Sequence, residues 1–322
     1  MIYQVIKYEE KYKRLWNDLI LRSSNGTFLH HRDYMEYHAS RFNDFSLMVF
    51  EDKKLRAVFP LHIENQQAYA HNGLTYGDLI FQKKLKLEHK IEIFHQVLSF
   101  LHQQQITDLS VKNIPFIFHQ QIDQTSDYIY FQLKANIELV KPFFVLIKNN
   151  AYKINRNRLK NIKKLSKESY QICNSSKHLK EFWKIVEDNL MKRHGTKPVH
   201  NFDEIKLLMD RFPEQIQLFS LQKDGQVLAG ALVYYINKAF HFQYIHTVED
   251  NRERKAVEWL VYQVIEQHKH YDYISFGSSQ VDGNNLNKGL VYWKESWGSN
   301  LINQYYYRVK TANFPLLKKI LV

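Results

Sequence analysis

Alternating hydrophobic and polar positions predict the same β-hairpin twice along the chain. Residues 47–60 alternate on both sides of a short polar turn at Asp52, which is typical of two antiparallel strands. Residues 216–235 repeat this arrangement around Asp224-Gly225, a dipeptide that favours a tight hairpin turn. The two hairpins therefore lie in different halves of the chain.

The elements after each hairpin also recur in the same order. A strand, an amphipathic helix and a further strand follow in both halves, and both helices carry hydrophobic residues three and four positions apart. The apolar helix faces consist of Ile91, Phe94, Val97, Leu98 and Leu101 in the first copy and Val257, Leu260, Val261, Val264 and Ile265 in the second. In the closing strands, residues 106–111 and 271–276, Asp108 and Asp272 hold matching positions.

This repeated order predicts the fold class. Strands that flank a helix lie parallel and hairpin strands lie antiparallel, so each half is predicted to be a mixed, mostly antiparallel twisted sheet flanked by helices. We therefore expect an α/β (α+β) chain with two tandem domains, residues 1–137 and 138–322. Two unrelated α/β domains also share such an order, but the matched aspartates favour duplication.

Composition is typical of a compact intracellular protein. Hydrophobic residues make up 44% and aromatic residues 15% of the 322 positions, which is enough for two cores and argues against disorder. No stretch approaches the roughly 20 apolar residues that cross a bilayer, and no secretory signal opens the chain. The single Cys173 forms neither an internal disulfide nor a zinc motif. We expect a cytoplasmic protein without a metal site.

The formal net charge of +12 attracts anions. Seven basic residues and no acidic ones occur on a predicted helix, at Lys153, Arg156, Arg158, Lys160, Lys163, Lys164 and Lys167. A solvated helix face, a surface for an anionic substrate or a cofactor polyphosphate, and a nucleic-acid surface all fit this pattern. Nucleic acid is the least favoured of the three, because no aromatic residue is interleaved with the basic ones.

A series of short motifs follows the predicted strands of the second half. They are Arg156–Lys164, Phe182-Trp183, Arg193–Pro198, Phe276–Ser278, Gly283–Leu290 and Lys294–Gly298. In this order they resemble the tandem-domain, FemABX-like branch of the GNAT-fold acyltransferases. The resemblance covers residues 143–309 and reaches the first half only through the internal repeat.

The resemblance implies an N-acyltransferase. Members of this branch acylate amino groups, either on peptidoglycan precursors from aminoacyl-tRNA or on amino sugars from acyl-coenzyme A. Since no long two-helix arm interrupts the second half, the chain is more similar to the sugar enzymes. The implied reaction moves an acetyl or short hydroxyacyl group, such as 3-hydroxybutyryl, from coenzyme A to a dTDP-linked amino-deoxyhexose for O-antigen or capsule synthesis. Acyl-coenzyme A is then a co-substrate, and no cofactor is tightly bound.

Two alternatives stay open. A FemABX-type, aminoacyl-tRNA dependent transferase acting on a peptidoglycan precursor agrees with the positive charge, and a non-catalytic RNA-associated protein is supported by charge alone. The expected partners are small molecules, namely acyl-coenzyme A and a nucleotide-linked amino sugar, and not a nucleic acid or a membrane. The oligomeric state is open.

The resemblance places the chemistry on the strand of residues 241–247, whose backbone N–H groups are expected to stabilise a developing oxyanion. The candidate catalytic residues are His241, Tyr244, His246 and Asp282. Histidine titrates in the range that suits proton transfer, and a carboxylate such as Asp282 can accept the proton of the amine.

Family members hold the pyrophosphate of coenzyme A on a glycine-rich turn before a helix, but the corresponding residues 249–256 contain no glycine. The candidate cofactor contacts are Thr247, Arg252, Arg254, Ser278, Asn287 and Lys294. The candidate contacts to a nucleotide diphosphate are Arg156, Arg193, His194, Lys197 and His200. A helix N-cap at Asn287 and an ordinary basic loop after Arg193 are equally compatible with the sequence.

The two copies of the repeat differ in their glycines. The second copy contains Gly225, Gly230 and the glycine-containing loop of residues 277–289, whereas the first has none of these. We therefore interpret the first half as a degenerate domain that lines a cleft and helps bind the acceptor. The second half is interpreted as the catalytic copy.

Overall fold

The computed structural model describes residues 3–148, 152–249, 255–281 and 283–320 of the chain. They divide into two compact units. Unit 1 contains the described residues up to Lys141 and those from Asn303 onward, and unit 2 is Pro142–Ile302. In the described ranges, no helix combines the length and the apolar character that crossing a bilayer requires.

Unit 1 is built on short, mostly antiparallel strands. The first set consists of β1 (Tyr3–Lys7), β2 (Leu47–Glu51), β3 (Lys54–Phe59) and β6 (Ile80–Phe81), which pair antiparallel in that order. The second set consists of β4 (His62–Glu64), β5 (Gln67–Tyr69), β7 (Asp108–Lys112) and β14 (Asn300–Lys310). Strand β5 is parallel to β7, and Tyr306 to Lys310 of β14 pair antiparallel with β7. The predicted first hairpin is confirmed as β2-β3.

The helices of unit 1 are α1 (Lys13–Leu21), α2 (Arg32–Met35), α3 (Leu87–Gln103) and α4 (Thr125–Gln132). Helix α3 buries the predicted face, since its five apolar residues there are all within the core of this unit. Burial of such a stripe supplies most of the stability of an amphipathic helix.

Unit 2 is a more regular mixed sheet. Its strands are β8 (Asn136–Ile147, from Pro142 onward), β9 (Gln171–Asn174), β10 (Ile216–Lys223), β11 (Gln226–Ile236), β12 (Ala239–Thr247) and β13 (Tyr273–Ser278). They lie in the order β8-β13-β12-β11-β10-β9. Strands β12 and β13 are parallel, and the other neighbours are antiparallel. The predicted second hairpin is β10-β11, with Asp224 and Gly225 at positive φ in its turn.

The helices of unit 2 are α5 (Arg156–Leu165), α6 (Leu179–His194), α7 (Phe202–Arg211), α8 (Ala256–His268) and α9 (Lys288–Glu295). Helix α8 connects the parallel strands β12 and β13, as a crossover must. Its predicted apolar face packs into the core, with Leu260, Val261, Val264 and Ile265 fully buried and Val257 partly buried. The structure therefore confirms the predicted hairpin, helix and strand order in this half.

Arg158 holds helix α5 on its neighbours. Its Nε donates to Ser296 Oγ at 2.7 Å, and its Nη1 lies 3.3 Å from Glu258 Oε1 in the first turn of α8. The guanidinium also lies 4.5 Å from the ring centroid of Trp297. The side chain is only 7% exposed. An arginine predicted to belong to a cationic surface is therefore a structural contact.

We expect Arg158→Met to lower the free energy of unfolding by about 3 kcal/mol, because it leaves Glu258 largely buried without its cation. Urea denaturation measures the change. The double variant Arg158→Met with Glu258→Met is expected to recover part of the loss, since neither charge is then buried alone. Additive losses in the double variant would show that the two side chains are not coupled.

Candidate functional site in unit 2

The parallel strands β12 and β13 pair over only three residues each. Ala239 to His241 pair with Tyr273 to Ser275. Strand β12 then continues to Thr247 along β11, and β13 continues to Ser278 along β8, with no further described pairing between the two strands. We call the region beyond His241 and Ser275 the β12–β13 gap.

A β-bulge lies in each strand at this point. In β12, Phe242 and Tyr244 face consecutive residues of β11, so Gln243 is the extra residue. In β13, Ser275 and Gly277 face consecutive residues of β8, so Phe276 is the extra residue. A bulge increases local twist and redirects side chains. The two bulges accordingly coincide with the separation of the strands.

The bulge in β12 changes which face its side chains occupy. Phe240 and Phe242 pack into the core with α8, so alternation places His241 on the opposite face. The extra residue Gln243 then moves Tyr244 and His246 to the face of His241 instead of the core face. Both contact α6, as described below. Three candidate catalytic residues therefore share one face of β12.

His241 is buried at the start of the gap. Its Nδ1 is hydrogen-bonded to Ser275 Oγ at 3.1 Å, and a Cβ on Gly277 would lie 3.2 Å from its Cε1. Gly277 has φ 66°, a backbone conformation that favours glycine. Burial, followed by the nearby charge of Lys294, lowers the pKa of His241 to about 4. The imidazole is therefore neutral at pH 7, where it serves as a hydrogen-bonding group.

Lys294 is a buried lysine on the last turn of α9. Its Nζ donates to the carbonyl oxygens of Gly277 at 3.1 Å and Ser278 at 2.6 Å, at the end of β13. The residue is 6% exposed, and this burial lowers the pKa of its ammonium group to about 7. Two N–H bonds of Nζ point to these carbonyl oxygens. The remaining position on the nitrogen holds a proton when the lysine is charged and a lone pair when it is neutral. Such a group can both accept and return a proton near pH 7.

Because the folded pKa of Lys294 is lowered, the unfolded chain binds one more proton between pH 7 and pH 10. The free energy of unfolding of the wild type should therefore rise with pH relative to that of Lys294→Met, by about 1.4 kcal/mol per unit above pH 7. Urea denaturation of both proteins at pH 6, 7, 8 and 9 measures this difference. A difference that does not change with pH would show that Lys294 titrates normally.

Tyr244 and His246 lie on a wall of polar and aromatic side chains against α6 and the segment before α7. The Tyr244 hydroxyl is hydrogen-bonded to His200 Nδ1 at 2.9 Å, and its ring is perpendicular to that of Trp183. Asn189 Nδ2 donates to the carbonyl of Thr247 at 2.8 Å and lies 3.4 Å from His246 Nδ1. We call these residues, with Trp183 and His200, the α6 wall. Trp183, Asn189 and His200 are buried, and Tyr244 and His246 are the partly exposed members of this wall.

The remaining predicted site residues are dispersed. The Thr247 hydroxyl donates to the carbonyl of Leu228, and the Asn287 side chain accepts from Leu290 N as the N-cap of α9. Arg193 is exposed and donates to Glu249, while Arg156 and Lys197 are exposed. Arg252, Arg254 and Asp282 lie outside the described residues, as does the side chain of His194. The roles assigned to all these residues stay predictions.

Three further residues of this region are not among the predicted site residues. Ser275 contacts His241, Gln243 forms the bulge and also hydrogen-bonds to His241, and Asn189 contacts β12. Ser275 has a recognisable signal, because it is a polar residue between the apolar Ile274 and Phe276 of a buried strand. In the described ranges, no group of three or more His, Cys, Asp or Glu side chains is placed to hold a metal ion.

Residues 149–280 match the family model described as an acetyltransferase (GNAT) domain. Unit 2 carries a GNAT-type acyltransferase domain. The matched range includes β12, α8 and β13 and therefore the β12–β13 gap. A search of curated proteins gave no match.

Solved structures share the whole fold. FemX has a TM-score of 0.68 at 12% identity, over 98% of this chain and 99% of FemX. The L-PGS of Bacillus licheniformis has a TM-score of 0.61 at 9% identity, over 98% of both chains. A conserved protein of unknown function from Bacteroides thetaiotaomicron has a TM-score of 0.61 at 10% identity, over 96% of this chain and 100% of that one. At these identities the similarity concerns the fold alone. The predicted mixed α/β, GNAT-like fold is confirmed.

Proposed function

We propose that the chain is an N-acyltransferase that moves an acyl group from coenzyme A to the amino group of a nucleotide-linked amino sugar. The observation that carries this proposal is the β12–β13 gap in the GNAT domain. An acyl thioester inserted there would lie along β12 beyond His241, where the backbone N–H dipoles are fixed by the pairing of the strand to β11. Dipoles that are already oriented stabilise the oxyanion of a tetrahedral intermediate without reorganisation.

Lys294 supplies the proton transfer in this mechanism. The neutral acceptor amine attacks the thioester carbonyl, and Nζ of neutral Lys294 takes the proton that the new ammonium must lose. The C–S bond then breaks, and Lys294 returns the proton to the departing thiolate, so that the products are an amide and free coenzyme A. A pKa of about 7 suits both steps, and it arises from burial. His241, which is neutral at pH 7, fixes the geometry of β12 and β13 near Lys294 through its hydrogen bond to Ser275.

The α6 wall is the proposed acceptor site. A hexose ring would place an apolar face against Tyr244 and a hydroxyl against His246, both of which are partly exposed, while the buried Trp183 and His200 hold Tyr244 in place. The exposed Arg193 in the last turn of α6 and the exposed Lys197 between α6 and α7 would meet the diphosphate of the nucleotide.

A thiol-release assay tests this function. Wild-type protein is incubated with acetyl- or 3-hydroxybutyryl-coenzyme A and a panel of dTDP- and UDP-linked amino sugars, with the corresponding hydroxyl sugars as matched controls. We expect release of coenzyme A and an N-acylated product only with the amino sugars. Absence of product across the panel would contradict the proposal.

A second candidate is aminoacyl transfer from tRNA, which the full-length similarity to FemX and to the L-PGS of B. licheniformis favours. An aminoacyl ester can enter the same gap, because its carbonyl also forms an oxyanion. Radiolabelled aminoacyl-tRNA would then lose its amino acid to an amine acceptor while acyl-coenzyme A remains intact. That result would show that the donor is aminoacyl-tRNA and not acyl-coenzyme A.

A further inference from the structure

We propose that unit 1 contains a second copy of the β12–β13 gap and that residues 70–77 of its own chain occupy the place that the acyl donor takes in unit 2. We call residues 70–77 the plug. This inference rests on the proposed function, in which the gap of unit 2 holds the donor. Its consequence is that each chain binds one molecule of coenzyme A and not two.

The parallel strand pairs of the two units end in the same way. In unit 1, Gln67 to Tyr69 of β5 pair with Asp108 to Ser110 of β7. In unit 2, Ala239 to His241 of β12 pair with Tyr273 to Ser275 of β13. Both pairings cover three residues on each strand and end opposite a serine, and α3 precedes β7 as α8 precedes β13. The edge of β7 beyond Ser110 therefore corresponds to the edge of β13 beyond Ser275.

The plug occupies this edge of β7. After β5 the chain turns at His71, which has a left-handed φ of 45°, and returns to pair Gly77 antiparallel with Lys112. Gly77 N donates to the carbonyl oxygen of Lys112 at 2.8 Å. A Cβ on Gly77 would lie 2.5 Å from the carbonyl oxygen of Ala70, so the returning chain also contacts the residue that follows β5. Lys112 lies two residues beyond Ser110, as Gly277 does beyond Ser275.

Two side chains from neighbouring strands bind the backbone of the plug. Lys112 Nζ donates to the carbonyl oxygens of Asn72 and Leu74, both at 3.3 Å. Gln304 Nε2 of β14 donates to the carbonyl oxygen of Thr75 at 3.4 Å. The plug therefore has hydrogen-bond partners at its middle as well as at Gly77, and its backbone groups are satisfied within unit 1.

Apolar side chains anchor the plug in unit 1. Ala70, Leu74 and Tyr76 are buried. The Tyr76 hydroxyl donates to Thr27 Oγ1 at 3.2 Å, and its ring stacks on that of Phe118. Opening a segment costs more free energy when it exposes apolar surface and breaks hydrogen bonds, so the plug belongs to the stable part of unit 1.

A donor could enter unit 1 only by displacing the plug. Displacement would expose Leu74 and Tyr76 to water and would separate Gly77 N from the Lys112 carbonyl. Each of these changes is unfavourable, whereas a donor that enters the β12–β13 gap breaks no described strand pairing. We therefore expect coenzyme A to bind in unit 2 alone.

Hydrogen–deuterium exchange of the ligand-free wild type tests the plug itself, with mass spectrometry of peptides that span residues 70–77. We expect slow exchange at Ala70 and Gly77, whose amides donate to the Ser110 and Lys112 carbonyls. Gly77→Ala places a Cβ against Ala70 and should speed exchange of the plug roughly tenfold or more. Thr75→Ala, which changes an exposed side chain of the same segment, is the control. Rapid exchange of the plug in the wild type, or equal exchange in the two variants, would overturn the inference.

Calorimetric titration of the wild type with coenzyme A measures the number of sites. We expect one molecule per chain, with slower exchange of residues 242–247 on binding and unchanged exchange of residues 70–77 and 108–112. Two molecules per chain, or slower exchange in these two segments of unit 1, would overturn the inference. Absence of any binding would contradict the proposed function, while exchange of the plug in the ligand-free protein would still decide the inference.

Discussion

Lys294→Met is expected to lower kcat for acyl transfer by about 100-fold or more, with little change in the KM for acyl-coenzyme A. In the proposed mechanism this substitution removes the proton acceptor, and positioned acid–base groups contribute roughly 10²–10⁴-fold to the rate. Methionine preserves the length and apolar contacts of the buried side chain. Steady-state kinetics at pH 7 to 9 measure the effect. Lys288→Met, which removes an exposed lysine from the first turn of the same helix, is the matched control.

Lys294→Arg separates proton transfer from hydrogen bonding. Arginine retains donors for the Gly277 and Ser278 carbonyls but cannot be neutral in a protein. We therefore expect it to be as slow as Lys294→Met. We also expect the kcat of the wild type to rise through about pH 7 and that of both variants to lack this rise. Recovery of activity in Lys294→Arg would mean that the Lys294 side chain acts only as a hydrogen-bond donor and not in proton transfer.

Gly298→Ala is expected to lower the free energy of unfolding by roughly 2–5 kcal/mol. Gly298 has φ 86°, and a Cβ there would lie 2.7 to 3.0 Å from the backbone N, C and O atoms of Lys153. The left-handed conformation costs about 1–2 kcal/mol for an L-residue, and moving a packed backbone costs about 1–3 kcal/mol more. This close approach joins the end of α9 to the segment that leads into α5. Urea denaturation measures the loss.

Gly225→Ala is the matched control for that substitution. Gly225 also has a positive φ, of 77°, but a Cβ there would meet no atom within 4 Å. We expect Gly225→Ala to lower the free energy of unfolding only by the cost of the left-handed conformation, about 1–2 kcal/mol. Equal losses at the two glycines would contradict the importance of the contact between Gly298 and Lys153.

The sequence could predict those parts of the fold that depend on local patterns. The β2-β3 and β10-β11 hairpins and the buried faces of α3 and α8 follow from alternation, turn residues and helical spacing, and all are present. The pairing of β14 with β7 joins residues about 200 positions apart. No local pattern specifies such a partner, because any strand edge offers the same backbone groups.

The site was less accessible to prediction, for two physical reasons. A bulge at Gln243 shifts Tyr244 and His246 to the other face, and simple alternation cannot indicate where an extra residue is inserted. Burial of Lys294 is contrary to the usual preference of lysine for solvent. Its spacing of three from Val291 and from Trp297 was nevertheless a usable signal, since it places the lysine on the apolar side of α9.

The crystal structure of this protein with a coenzyme A thioether that ends in a methyl ketone would test the β12–β13 gap most directly. The analogue keeps the carbonyl of acetyl-coenzyme A but cannot transfer it. We expect its ketone oxygen to accept a hydrogen bond from a backbone N–H of β12 beyond His241, with the sulfur between β12 and β13. An analogue bound elsewhere, with β12 and β13 unoccupied, would contradict the assignment of acyl transfer to this gap.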